Sequence, residues 1–479
     1  MPSGSDRAAG WDSVLARRTL PVCPARRRER GMSDPEALTP RPAPIEDRLR
    51  EAGLAPLPRT AWLEIDLDAL RGNLAAVRAV AGAGVRVEPV VKADAYGHGA
   101  VPVARALEAA GADGLSVAAL EEAYELREAG ISLPLLVIYP VPPEHAAAAA
   151  AAGIAVSAGD GLLLERVLAA AARTIAVDPA SPPLEIHVEI ETGLGRGGVQ
   201  ADEAAATIRR VVSAPGVRLG GVWTHLAAAD DRSNALAQDA RFGRAVESIG
   251  DSVRFGAEPE AVRRHLAGTG GVLGDDVGRW DSVRAGLAIY GLVPDALEVP
   301  ASTARAAGWL RPVMALKARA VRVADLPADH GVSYGPTFVT GRPSRIATLP
   351  VGYADGWRRF LSDRSEGLVR GVRVPVVGRV AMDAVMLDVT DVPGPPVDED
   401  DEFVLLGEQA GERITAFELA AAGGTISYEI LAGMSRRLPR VYHAAGLPVE
   451  VRTLAGGRSE WHASSSGTAT SAISRSMPS

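Results

Sequence analysis

The chain has 479 residues, 47% hydrophobic and 23% charged, with a formal net charge of −8. That is the profile of a soluble globular protein of two to three domains. The negative balance argues against nucleic acid or an anionic membrane surface as partner, and no stretch reaches the roughly 18 apolar residues of a membrane span. The single cysteine, Cys23, excludes an intramolecular disulfide and a cysteine metal site, and no HExxH or CxxC spacing points to a metal.

Residues 1–57 are rich in Pro, Arg and Ser without periodicity and read as a disordered extension. Arg17-Arg18 and Arg26 to Arg28 are not followed by an apolar segment, so no export signal is expected and the cytoplasm is the default. Met32 offers a second possible start. Trp62 to Leu67 alternates like a strand. From there short apolar strands alternate with Ala/Leu/Arg helices, with strands expected near 86–91, 114–117, 134–138, 154–157, 185–190, 219–224, 263–267 and 282–285. Eight such repeats predict a (β/α)8 barrel over 58–304; an open doubly wound sheet is the alternative, but no Gly-rich dinucleotide turn opens the region. Residues 305–455 change to strands separated by Pro, Gly and Asp, which predicts a mainly antiparallel β domain closed by helices near 415–422 and 425–434. Residues 456–479 are Ser/Gly/Thr-rich and read as a flexible tail.

Chemistry concentrates at the expected carboxyl ends of the barrel strands, where such barrels build their sites. Lys92 leaves the first strand; an amine desolvated there has a lowered pKa, which suits attack on a carbonyl. On the fifth strand Glu185, His187, Glu189 and Glu191 share one face, and Thr192-Gly193-Leu194-Gly195-Arg196 follows, ending in a cation suited to a carboxylate. The sixth strand ends at Thr224-His225, the seventh at Gly268-Thr269, and the eighth at Arg284 to Leu287. Taken singly, each has a plain structural reading, and His98, His145, His187, His265 and His330 are read as structural or surface residues.

The decapeptide VVKADAYGHG (90–99) resembles the pyridoxal-phosphate lysine motif of the alanine racemases. So do ETGLGRGGV (191–199), GVWTHLAAAD (221–230), SVRAGLAIYG (282–291), GVSYG (331–335), VGYADGW (351–357), GRVAMD (378–383) and GTISYE (424–429). The resemblance covers about 59–452. It implies that Lys92 holds pyridoxal 5'-phosphate as an internal aldimine and that Tyr96, Thr269, Gly286, Leu287 and Tyr428 hold its phosphate. Arg284 would face the pyridine nitrogen, hydrogen-bonded by His225. Lys92 would serve as base on the D face and Tyr334 of the partner subunit on the L face, with His225 and Arg284 as cationic neighbours of the tyrosine. Arg196 and the Met382 amide would hold the substrate carboxylate, and Tyr353, Arg379 and Asp383 would line the way in.

The implied protein is a cytoplasmic homodimer that interconverts L-alanine and D-alanine for peptidoglycan. A serine or broader-specificity racemase, another enzyme of the same fold such as a decarboxylase, or a pyridoxal-phosphate carrier without turnover are the alternatives. Three positions depart from the family pattern. Gly268-Thr269 stands for Asn-Ser, Ala381 for Cys, and Glu189 for a lysine that many members carbamylate; Glu189 is therefore expected to orient Arg196 without modification.

Overall fold

The computed structural model describes residues 43–159, 161–250, 253–258, 261–274 and 277–455; the expectations for 1–42 and 456–479 lie outside them. Eight short strands form the barrel: Arg86–Val87, Leu115–Val117, Leu135–Pro140, Ile154–Ala158, Leu184–Glu191, Val217–Trp223, Arg263–His265 and Ser282–Val283. Neighbouring strands pair in parallel around the sheet. A parallel bridge from Val90 to Ser116 joins the first strand to the second and closes the ring. The first strand is shorter than its apolar run because Pro89 has no N–H to give. Its alignment nevertheless persists: the Glu88 and Val90 amides donate to Val283 and Ala285 at 2.9 Å.

The helices that cover the barrel start on side-chain caps where the sequence offers one. Asp66 accepts from the Asp68 and Ala69 amides at the head of Leu67–Ala81, and Asp231 accepts from Ser233 and Asn234 at the head of Arg232–Ile249. Each such cap is worth about 1 kcal/mol.

The second sheet is antiparallel except for one pairing. Its core strand Met314–Arg319 pairs with Glu402–Gln409 on one side and with Ala61–Asp66 on the other. Ala61–Asp66 in turn runs parallel to Arg440–Ala444. The first strand of the described residues therefore belongs to the β domain, whereas the boundary expected at residue 58 placed it with the barrel. Alternation along Trp62 to Leu67 announces a strand, but its partners lie some 250 and 375 residues onward, beyond the reach of local pattern. The apolar run from 313 is divided: Met314–Arg319 stays in this sheet, and Arg322–Leu326 lies in a separate three-stranded sheet with Ser344–Leu349 and Val385–Asp388.

A second correction concerns the expected disorder up to residue 57. Ile45–Glu51 is a helix whose Ile45 and Leu49 pack on Trp62 and Val441 with no exposure above 1%. Its Arg48 joins a buried cluster in which Lys317 bridges Glu64 at 3.0 Å and Glu402 at 2.9 Å. Among the described residues no helix is long and apolar enough to cross a membrane, and no group of three or more His, Cys, Asp or Glu could hold a metal ion.

Candidate active site

Lys92 follows the first barrel strand, and the chain beyond it does not continue as a right-handed helix. Ala93, Asp94, Ala95 and Tyr96 adopt φ of 53°, 55°, 54° and 52°, a left-handed turn. Such a conformation costs an L-residue roughly 1–2 kcal/mol, so the surroundings must over-determine it. They do so from both domains. Glu122 accepts from the Ala93 amide at 2.6 Å, and Asp94 accepts from the Ala100 amide at 2.9 Å. Arg440, from the β domain, donates twice to the Gly97 carbonyl at 2.9 and 3.0 Å, and Tyr442 donates to the His98 carbonyl at 3.0 Å. Gly97, at φ 80°, has the Leu431 carbonyl where a Cβ would lie, 2.3 Å away; no other residue fits there. Lys92 itself is half-buried, and its pKa is lowered by burial and by the nearby Arg196.

Arg284 lies across the barrel interior, 3% exposed. It donates to the Thr224 carbonyl at 2.9 Å and to His265 Nδ1, and its guanidinium stacks 4.8 Å from the Trp223 ring centre. Burial lowers its pKa to about 10, with Glu88 and Glu189 opposing the fall, so it stays charged at neutral pH. The expected hydrogen bond from His225 to Arg284 is not made: the histidine bonded to Arg284 is His265. His225 instead is pushed down to about 3 by burial and by the positive charges of Arg284, Arg196 and Lys92. It is neutral at physiological pH and cannot be the cationic neighbour expected for a tyrosine base. His265 could have been found from register, since it pairs with Ser282, two residues before Arg284 on the adjacent strand.

At the far corner Thr269 Oγ1 accepts from the Gly286 and Ala288 amides, both at 3.1 Å. The Tyr96 hydroxyl sits where a Cβ on Gly286 would be, 2.5 Å away, and the rings of Tyr96 and Tyr428 lie 6.1 Å apart. Tyr428 reaches this corner from the β domain because Asp295, after the barrel, accepts from the Ser427 amide and hydroxyl. Burial holds both phenols protonated, Tyr428 being pushed up to about 12.

Arg196 stands at the mouth, its guanidinium 5.5 Å over the Tyr139 ring and 3.4 Å from Glu189 Oε1. Glu189, 7% exposed, thus reaches Arg196 directly, at the long end of hydrogen-bond range. Buried Gln238, which sequence reasoning overlooked, ties this loop to the next: its amide donates to Thr192 Oγ1 and to the His225 carbonyl, both at 3.1 Å. Glutamine in a helix carries no motif, so no signal marked it.

The remaining expected residues form a separate group on the β domain. Tyr334 sits in the loop joining Gly331–Val332 to Phe338–Val339 and is 76% exposed. Beneath it Ser333 donates to the Arg379 carbonyl at 2.6 Å. The Tyr353 amide donates to the Ala381 carbonyl and Ala354 to that of Met382, while Asp383 pairs with Arg437 at 2.6 Å. Tyr353 and Met382 are also exposed. Among the described residues no hydrogen bond joins Tyr334 or Met382 to Lys92, Arg196 or Arg284 of the same chain.

Residues 65–294 match the family described as alanine racemase, N-terminal domain, and residues 313–442 match alanine racemase, C-terminal domain. The chain belongs to the alanine racemase family. An alanine racemase of Symbiobacterium thermophilum is 41% identical over 387 residues, 80% of this chain and 97% of that protein, and one of Desulfovibrio desulfuricans is 40% identical over a similar span. Among solved structures, alanine racemase from Bacillus anthracis with bound L-Ala-P is 33% identical with a TM-score of 0.73, covering 83% of this chain and 99% of that one. That of Streptomyces coelicolor is 36% identical with a TM-score of 0.71, covering 82% and 99%. Membership makes the protein an isomerase, an alanine racemase.

Proposed function

We propose that this racemase interconverts L-alanine and D-alanine with pyridoxal 5'-phosphate held on Lys92, in a homodimer whose sites each take Tyr334 from the partner subunit. The observation that carries the reading is the gathering of Lys92, Arg284, Tyr96, Thr269 and Tyr428 around one end of the barrel. The chemistry of these donors fits the cofactor: an amine of lowered pKa for its aldehyde, a fixed guanidinium for its ring nitrogen, and a hydroxyl-lined corner, too tight for a Cβ at Gly286, for its phosphate. When bound, the cofactor delocalises the charge left as the substrate's α-proton departs.

The chain supplies positioning and proton transfer. Lys92 Nζ, whose pKa is lowered by burial and by Arg196, takes or returns the α-proton on one face, and the partner's Tyr334 Oη on the other. Arg196, backed by Glu189, binds the substrate carboxylate, helped by the partner's Met382 amide, and Tyr428 narrows the space left for a side chain. Arg284 holds its protons tightly, so it would leave the ring nitrogen of a bound cofactor unprotonated, which would discourage competing reactions. Tyr353, Arg379 and Asp383 line the access path. An exposed Tyr334 on the β domain, with exposed Tyr353 and Met382 beside it, favours a partner surface over a carrier without turnover, for which a second base is superfluous. D-alanine for peptidoglycan in the cytoplasm is the corresponding role.

A coupled assay tests this directly: D-alanine should form from L-alanine in the presence of pyridoxal phosphate, and Lys92→Ala should abolish it. A wild-type enzyme that turns over serine but not alanine would contradict the substrate assignment.

A further inference from the structure

Behind Arg284 runs a chain of buried side chains that leads away from the site. His265 Nε2 lies 2.8 Å from His187 Nδ1, and His187 Nε2 lies 3.1 Å from Glu185 Oε1. Both histidines are fully buried. At the amino-terminal end of the barrel Glu185 meets two arginines, Arg263 at 3.0 Å and Arg218 at 2.5 Å.

The direction of the bonds is set from the Arg284 end, because a guanidinium only donates. Arg284 donates to His265 Nδ1, so the His265 proton sits on Nε2 and is given to His187 Nδ1. The His187 proton is then on Nε2 and is given to the Glu185 carboxylate, which also accepts from Arg263; Arg263 Nη2 lies 3.0 Å from the same Nε2 and would donate to it were the carboxylate removed. A proton added to either ring would put two donors face to face. Burial lowers the pKa of both rings in the same sense.

The room for this chain is built into the neighbouring strand. A Cβ on Gly220 would lie 2.1 Å from Glu185 Oε1, and one on Gly221 would lie 2.5 Å from His187 Nδ1. Trp223, on the same strand, stacks parallel to His265 at 6.1 Å, and its indole donates to Ser157 at 2.9 Å, fixing the plane of the ring.

We propose that Glu185 and His187 are positioning residues for the reaction: they lock His265 with its Nδ1 lone pair toward Arg284 and so hold the guanidinium against the cofactor ring. This rests on the reading of Arg284 given above. Without Glu185, His187 is free to carry its proton on Nδ1; His265 must then present an N–H to Arg284, and the guanidinium loses its acceptor.

The test uses full-length holoenzyme labelled with 15N-histidine. His187→Asn keeps an acceptor oxygen where Nδ1 was, whereas His187→Leu keeps only bulk. The long-range 15N spectrum should show His265 as the Nε2–H tautomer in wild type and in His187→Asn, and a changed state in His187→Leu. In His187→Leu kcat should fall about tenfold or more, since a buried donor is left unpaired, with KM for alanine within about twofold because no substrate contact is removed; His187→Asn should recover most of it. An Nδ1–H tautomer in wild type, an unchanged tautomer in His187→Leu, or equal losses in the Leu and Asn variants would each overturn the proposal. If the His187 variants do not fold, Glu185→Ala, at the half-buried end, must change the His265 tautomer and lower kcat, and wild-type behaviour there overturns it. Failure of the racemase reading shows separately, as wild-type protein that makes no D-alanine.

Discussion

At the residue scale the site is a set of charges whose protonation is fixed by burial and by one another. Lys92 and Arg284 stood out in the sequence through the motifs that resemble the family, since a lysine or arginine at a strand end has, taken singly, a plain structural reading. The roles of His225 and His265 were not legible: both are histidines at strand ends, and only the inter-strand register decides which one faces Arg284. Glu189 carries a prediction. Burial raises its pKa against the pull of Arg196, so it gives up its charge at higher pH than an exposed glutamate would. As a carboxylate in contact with Arg196, it restrains the arginine without any carbamylated lysine. Glu189→Gln should raise KM for alanine several-fold with little change in cofactor affinity, because the lost contact bears on substrate binding. Wild-type activity should also be indifferent to removal of bicarbonate. Steady-state kinetics with bicarbonate-stripped buffer check both; a wild-type KM in the variant, or activity that needs bicarbonate, would contradict the assignment.

At the scale of elements, the barrel's strand–helix alternation was readable because period and length differ between the two. The β domain was readable only as a texture, since its pairings are long-range. The helix Ile45–Glu51 was hidden by its Pro-rich flanks, yet it covers Trp62 and anchors Arg48. Removing residues 1–31 should leave activity and stability unchanged, whereas Leu49→Ala should cost about 2–5 kcal/mol, the range for a buried leucine; denaturant unfolding distinguishes the two. The charge cluster under this helix gives an acid signature. Burial alone would raise the pKa of Glu64, but Lys317 and Arg48 prevail and hold it at about 2. Its folded value lies below its unfolded one. The stability it contributes is therefore full above about pH 4.5 and fades as pH falls toward about 2. Glu64→Gln should flatten the melting-temperature profile across that window and lower stability near neutrality, where Lys317 loses a partner. A profile with wild-type slope would count against the cluster.

At the scale of the whole molecule, the chain carries two separate groups of candidate residues. Lys92, Arg196 and Arg284 converge on the barrel, while Tyr334, Met382 and Tyr353 are exposed on the β domain. On the proposed reading, a two-fold dimer that set one group against the other would complete two sites at once. In the sequence the proposed arrangement is implied only by the resemblance of GVSYG (331–335) to the family, and the exposure of Tyr334 supports it. The central claim is that each site needs two chains, and subunit complementation tests it most directly. Lys92→Ala and Tyr334→Phe chains, each inactive as a pure protein, are co-expressed and purified together. Random pairing leaves one intact site in each hybrid, so activity should return to roughly a quarter of the wild-type value per chain. Hybrids isolated as mixed dimers that remain inactive, or a wild-type monomer that racemises alanine at full rate, would contradict it.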